Sequence, residues 1–303
     1  MSDIVDLIRQ GKVKRFFRSR RKLDFPGLVS HITQRATGKD PLFVEDGDYL
    51  YMIKLIRETA ERYELQVIAF CLMGNHLHIL LLQKQKNLSA AMHNLFTRYA
   101  IYFNYKYQRK GHLFAGPFGQ AACFDDHYLF TASVYIHLNP VRARIVDSYR
   151  KYRWSTWRLY CQDSEPDTFV NWKFIIEMFA KNHIQAKKQY RELLRKALNY
   201  RGKGALEEKR AIGKFSIWIK KNYPDLIRRS KYNGKRFLPE GYASDAEIDK
   251  IIQELREKKR LTKPDDIKAR KFAIEQLQSR GYSVEEIVDY MEISRATIYN
   301  YLS

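Results

Sequence analysis

The chain has 303 residues, and its 55 Lys and Arg outweigh 34 Asp and Glu to give a formal net charge of +21. That length suits two domains with a sizeable core, and that charge points to a polyanionic partner. No apolar run is long enough to span a membrane, no signal-peptide pattern opens the chain, and Cys71, Cys123 and Cys161 show no metal or disulfide spacing; a membrane protein and a secreted scaffold are set aside in favour of a cytoplasmic, nucleoid-associated protein.

The N-terminus is basic, with Arg15, Arg18, Arg20 and Arg21 around Phe16 and Phe17. A charge run is most often a solvated face, but the overall charge favours an arm on DNA phosphates. Residues 28–34 read as a first strand carrying His31, which could face an active site or be structural. Asp46-Gly47-Asp48 precedes a helix whose apolar residues Met52, Ile53, Ile56 and Ala60 keep helical spacing. Residues 65–71 form a second strand, and a turn at Gly74-Asn75 leads into a third. Asn87 and Ser89 are cap candidates for a helix striped by Leu88, Met92, Leu95, Tyr99 and Phe103, with Arg98 outside the stripe as a candidate DNA contact. A loop over 111–116, a strand over 118–124 and a helix over 125–139 follow. The order strand, helix, strand, strand, helix, strand suggests a ferredoxin-like or palm-like antiparallel sheet of α+β class, with the last helix packed on it.

Two stretches carry chemistry. In His76-Leu77-His78 the alternation of a strand turns both imidazoles to one face. They are either ordinary half-buried histidines or a pair of metal ligands awaiting a carboxylate, amide or water. On the helix, Tyr135 and Asn139 stand four residues apart on one face, and Pro140 is expected to limit the helix. A phenol is a poor nucleophile at neutral pH unless the phosphate it attacks is polarised by a metal. Together they make a phosphodiester-cleaving kit.

His76-Leu77-His78 resembles the histidine-hydrophobic-histidine motif of the HUH single-strand endonucleases. Leu72-Met73-Gly74-Asn75-His76-Leu77-His78, Gly111-His112-Leu113-Phe114, Tyr135-Ile136-His137-Leu138-Asn139-Pro140-Val141-Arg142-Ala143 and Trp154-Ser155 resemble the REP-associated tyrosine transposases, relatives of the insertion-sequence transposases. The resemblance covers about the first half of the chain. It departs at Gly74, where the family usually has Pro, at Pro117, where Arg is expected, and at Arg144, where Gly is usual. It implies Tyr135 as nucleophile, His76, His78 and Asn139 around Mg²⁺ or Mn²⁺, His112 and Arg142 at the DNA, and hairpin-forming repeats as substrate.

Beyond Trp154 the signals thin. Residues 169–200 read as helical and basic, 212–223 as a short amphipathic helix and 231–244 as a linker. Residues 265–280 read as a helix; Ser283 with Glu286 forms a capping box before 284–290, and Ser294 caps Arg295–Leu302. The last two helices resemble a helix-turn-helix, with Arg295, Thr297, Tyr299 and Asn300 toward a major groove; the plainer alternative is a helical hairpin that only packs. The expected division is a catalytic domain over 1–165, a basic helical extension and linker over 166–240, and a DNA-binding domain over 241–303. The expected function is a metal-dependent single-stranded DNA endonuclease and strand transferase working through a 5′-phosphotyrosine. The competing expectation is a non-catalytic DNA-binding regulator of the same ancestry. The partner is single-stranded or hairpin DNA, and a homodimer is one assembly this reading allows. No membrane is involved.

Overall fold

The computed structural model describes residues 22–38, 40–123, 126–200, 215, 218, 219, 221, 245–258, 264–279 and 284–302. The chain divides into two compact units, one spanning Leu23–Asn233 and one made of Gly234–Ser303 with Met1–Lys22. The basic arm with Arg15, Arg18, Arg20 and Arg21, the residues 231–244 and the capping box begun by Ser283 lie outside the described residues.

In the first unit, β1 (Val29–Arg35), α1 (Asp46–Arg62), β2 (Leu65–Met73), β3 (His76–Gln83), α2 (Leu88–Lys106) and β4 (Gly119–Cys123) follow the expected order. The four strands form one sheet in the order β2-β3-β1-β4, with every neighbouring pair antiparallel. This is the expected α+β architecture. Runs such as Val67 to Leu72 and Ile79 to Leu81 are apolar without alternation because both faces are covered. α1 and α2 pack on each other, and α3 (Asp126–Arg142) packs on β2, β3 and β4. Gly74 in the β2–β3 turn does not have a positive φ, and a Cβ there would meet nothing within 4 Å. The position thus has room for the first carbon of a side chain.

α3 corrects one expectation. Pro140 was expected to limit it at Asn139, yet the helix runs to Arg142. Proline removes one helical N–H, and tertiary packing outweighs that loss. The helix ends instead in a Schellman motif: Ile145 N–H bonds the Pro140 carbonyl (2.9 Å) and Arg144 N–H bonds the Val141 carbonyl (3.0 Å). Arg144 takes φ +57° there, the left-handed conformation that favours glycine. The family's usual glycine thus has a backbone reason, and this chain places an arginine in that conformation.

The free edge of β2 is closed by the segment after a short 3-10 turn. Leu72 N–H bonds the Trp154 carbonyl (2.9 Å), Thr156 N–H bonds the Phe70 carbonyl (3.1 Å), and Cys71 and Ser155 form an antiparallel bridge. Then come α4 (Trp157–Cys161), α5 (Lys173–Ile176) and α6 (His183–Ala197). The expected helical stretch over 169–200 holds two helices, and Asn182 accepts the Gln185 N–H (3.0 Å) to start α6. The core does not stop at residue 165. Trp172, Ile175, Ile176, Tyr190 and Leu194 join the same apolar cluster as the strands.

The second unit is helical: α7 (Asp245–Arg256), α8 (Pro264–Ser279), α9 (Val284–Met291) and α10 (Arg295–Leu302). Ile248, Ile252, Leu255, Ile274, Leu277, Ile287, Met291 and Ile298 form its core. Ser294 Oγ accepts the Thr297 N–H (3.1 Å) as the expected cap of α10. The sequence reading left α7 without an element, although Ile248, Ile251, Ile252 and Leu255 keep helical spacing.

Candidate active site

Strand register gathers the histidines. Thr33 pairs with His78, Arg35 with His76 and His31 with Leu80. Directly opposed residues share a face, so His31, His76 and His78 lie together on one side of the sheet. α3 delivers Tyr135 and Asn139 to that side. The Tyr135 ring stands edge-on to His78 (5.8 Å, 87°) and to His31 (6.4 Å, 70°), and Asn139 Nδ2 is 2.6 Å from His78 Nε2. All are buried, Tyr135 at 2% exposure.

The hydrogen bonds match one set of tautomers. Asn139 Nδ2 donates to His78 Nε2, so the His78 proton sits on Nδ1 and is donated to His31 Nε2 (3.0 Å). His76 Nδ1 donates to Asn75 Oδ1 (2.7 Å), which leaves the lone pair of His76 on Nε2. Burial pushes the His31 imidazole down to about 3. It pushes His78 well below its ordinary value too, with the neighbouring His76 and His31 adding to the effect. His78 is thus a neutral imidazole at pH 7, the form that binds a metal.

Among the described residues, no three His, Cys, Asp or Glu side chains are placed to hold a metal ion. A metal here needs an amide in its shell, and Asn139 Oδ1 is buried without a hydrogen-bond partner among the described residues. His76 Nε2 carries a lone pair, and a turn of the Asn139 amide would release His78 Nε2 and bring Oδ1 beside it; that set of two imidazoles and one amide oxygen fits a divalent ion that keeps further positions open.

Residues 25–139 match the family model described as "Transposase IS200 like". Over that stretch the chain is similar to the IS200-like transposases. A solved structure of a REP-associated tyrosine transposase bound to a REP hairpin is 15% identical, covers 46% of this chain and 81% of that chain, and superposes with a TM-score of 0.40. No curated protein matches the chain. The IS200-like stretch runs from before β1 to Asn139, so it contains the whole histidine cluster and Tyr135.

The other expected DNA contacts are dispersed. Arg98 on α2 is paired with Glu58 of α1 (2.5 Å). His112 is exposed in a loop whose carbonyl accepts the Thr37 hydroxyl (3.1 Å), beyond the end of β1 where Arg35 faces His76. Arg142, seven residues after Tyr135, lies on the same face of α3; its Cζ sits 4.5 Å from the Tyr200 ring and 5.0 Å from the Phe215 ring. In the second unit Arg295 and Asn300 are exposed and Ile298 points inward, while Thr297 shares a hydrogen bond with Ser294 (2.8 Å) and Arg295 is ion-paired with Glu285.

His31, which the sequence left as either site-facing or structural, meets the His78 ring, a contact that depends on strand register and so on pairing partners 47 residues apart. Tyr200 and Phe215 reach the site from far along the chain, and nothing local marks them. His137, set apart from the site by its place on the helix, is buried in a different network: Nδ1 with Tyr190 Oη (2.8 Å) and Nε2 with Thr156 Oγ1 (3.0 Å).

Proposed function

We propose that this protein is a REP-associated-type tyrosine transposase that cleaves and rejoins single-stranded, hairpin-bearing DNA. The observation that carries the reading is the placement by one helix of a phenol edge-on to His78 and of an amide against His78 Nε2. The IS200-like family match over these residues supports it.

In this reading Tyr135 Oη bonds to the scissile phosphorus as the bond from phosphorus to the 3′ oxygen breaks. The phenol loses its proton and the departing oxygen gains one, leaving a 3′ hydroxyl and a 5′-phosphotyrosine. A 3′ hydroxyl then attacks that link in reverse, so no nucleotide cofactor is needed. His76, His78 and Asn139 would hold Mg²⁺ or Mn²⁺. When bound, such an ion polarises phosphate oxygens and lowers the barrier to attack. His31 keeps the His78 ring in its ligand tautomer, and the surrounding core excludes water from Tyr135. The net positive charge favours DNA as partner, with the exposed α10 residues as an added recognition surface. We place the protein in the cytoplasm; among the described residues, no helix is long and apolar enough to cross a membrane.

The test is incubation with a pool of hairpin-bearing single strands and Mg²⁺ or Mn²⁺. A covalent protein–DNA adduct that survives denaturation and is absent from Tyr135→Phe supports the reading. An intact pool that is nevertheless bound would favour a regulator without chemistry.

A further inference from the structure

Arg142 combines three features that its position on the helix does not explain. Its guanidinium packs against two neighbouring aromatic rings from the later chain, Tyr200 and Phe215, whose own centroids lie 5.2 Å apart. Phe215 in turn approaches the Tyr135 ring (6.4 Å). Arg142 Nη1 is buried without a hydrogen-bond partner among the described residues.

A buried guanidinium N–H without an acceptor costs free energy, and a bound anion is one partner that would offset that cost. Arginine stays charged near neutral pH even though burial pushes this one down, and its planar fork matches two phosphate oxygens. Stacking against rings supplies packing and cation–π attraction while leaving the N–H edges for an anion. Tyr135, Asn139 and Arg142 follow at i, i+4 and i+7, so they line one stripe of α3.

We propose that Arg142 is a further catalytic residue of the cleavage reaction: its guanidinium, packed against Tyr200 and Phe215, binds non-bridging oxygens of the scissile phosphate beside Tyr135. This rests on the transposase reading and deepens it. Arg142 grips the reacting phosphate, in contrast to a surface arginine that adds general affinity. Charge gathers on those oxygens as the new bond forms, so the contact strengthens in the transition state. Tyr200 and Phe215 are positioning residues for it.

The experiment uses the full chain and a hairpin strand that the wild type converts to adduct. Single-turnover rates at saturating DNA and equilibrium binding are compared for wild type, Arg142→Ala, Arg142→Lys and Tyr200→Leu. The expected result for Arg142→Ala is a rate lower by on the order of 10²-fold with affinity changed by less than about threefold. Added guanidinium ion should restore part of the rate to Arg142→Ala and none to Tyr135→Phe, a response that a purely structural arginine would not give. Tyr200→Leu should lower the rate with the arginine intact. If the wild type reacts and Arg142→Ala reacts equally fast, or loses its rate beyond rescue by guanidinium, the assignment of Arg142 falls while the transposase reading stands. If the wild type itself forms no adduct with any strand of the pool, the reading and the role of Arg142 fall together.

Discussion

Single residues carry the sharpest tests. Arg144 holds a left-handed backbone at the end of α3, where a side chain costs about 1–2 kcal/mol relative to glycine. Arg144→Gly should therefore raise stability by about 1 kcal/mol, offset in part by the greater freedom of glycine in the unfolded chain. A urea midpoint that falls in this variant would show that the arginine side chain makes up for its backbone. Chelation is the second test at this scale. If His76, His78 and Asn139 hold the ion, EDTA should stop adduct formation and leave most of the DNA binding, and His78→Ala should do the same. Cleavage that survives exhaustive chelation would sink the metal role. Alternation along one strand was enough to bring His76 and His78 together from sequence alone. His31 was legible only as a candidate, and Tyr200 and Phe215 not at all, because their neighbours are chosen by register and by tertiary packing across long separations.

Helix α3 is held by a buried polar network as well as by its apolar face. Tyr190 of α6 donates to Ser133 Oγ (3.0 Å) and meets His137, which also reaches Thr156, itself bonded to the Phe70 carbonyl (3.2 Å). The network ties the tyrosine-bearing helix to β2 and to α6. Tyr190→Phe would leave His137 Nδ1 and Ser133 without their partner, at a cost of about 1–3 kcal/mol. The network also sets a pH dependence. Burial lowers His137 from 6.5 to about 3, and the phenols facing it, Tyr160 and Tyr190, are pushed far upward and stay neutral. The folded value lies below the unfolded one. Its contribution is thus complete above the unfolded value near 6.5 and lost as pH falls toward 3. At pH about 5 the loss is ~2 kcal/mol from this one residue. Urea midpoints measured at both ends of that window should fall with acid, and less so in His137→Asn; an equal slope in the variant would place the titration elsewhere. The order of strands and helices was readable because both periods were clear. The length of α3 was not, since Pro140 reads as a stop and only packing carries the helix past it.

On the scale of the chain, the division of labour is open to truncation. A chain ending at residue 165 would leave behind Trp172, Ile175, Ile176, Tyr190 and Leu194 of the first core. Such a chain should fail to give a cooperative unfolding transition, and a sharp transition would show that the sheet is self-sufficient. A chain ending near residue 238 should keep its single-turnover rate at saturating DNA while its affinity and the salt slope of that affinity both fall. Within the second unit, Asn300→Ala should cost about 1–3 kcal/mol of discrimination between DNA sequences if α10 reads bases. Equal affinity and salt slope with and without the second unit would assign its helices to packing or to another protein. Composition and charge pointed to nucleic acid from the outset. They could not place the boundary, because the basic residues after 165 share helices with the aromatic and aliphatic ones that complete the core.

The closed edge of β2 limits how copies of this protein can meet. An uncovered strand invites a second chain to pair with it, and that is the usual route to runaway sheet assembly. Here residues 154–156 already occupy that edge. The opposite edge, β4, is only five residues long and begins with Gly119, a short and weakly pairing strip. Among the described residues the sheet thus offers little free edge for a second copy to pair with, a safeguard that would matter for a basic chain if DNA gathers it along its length.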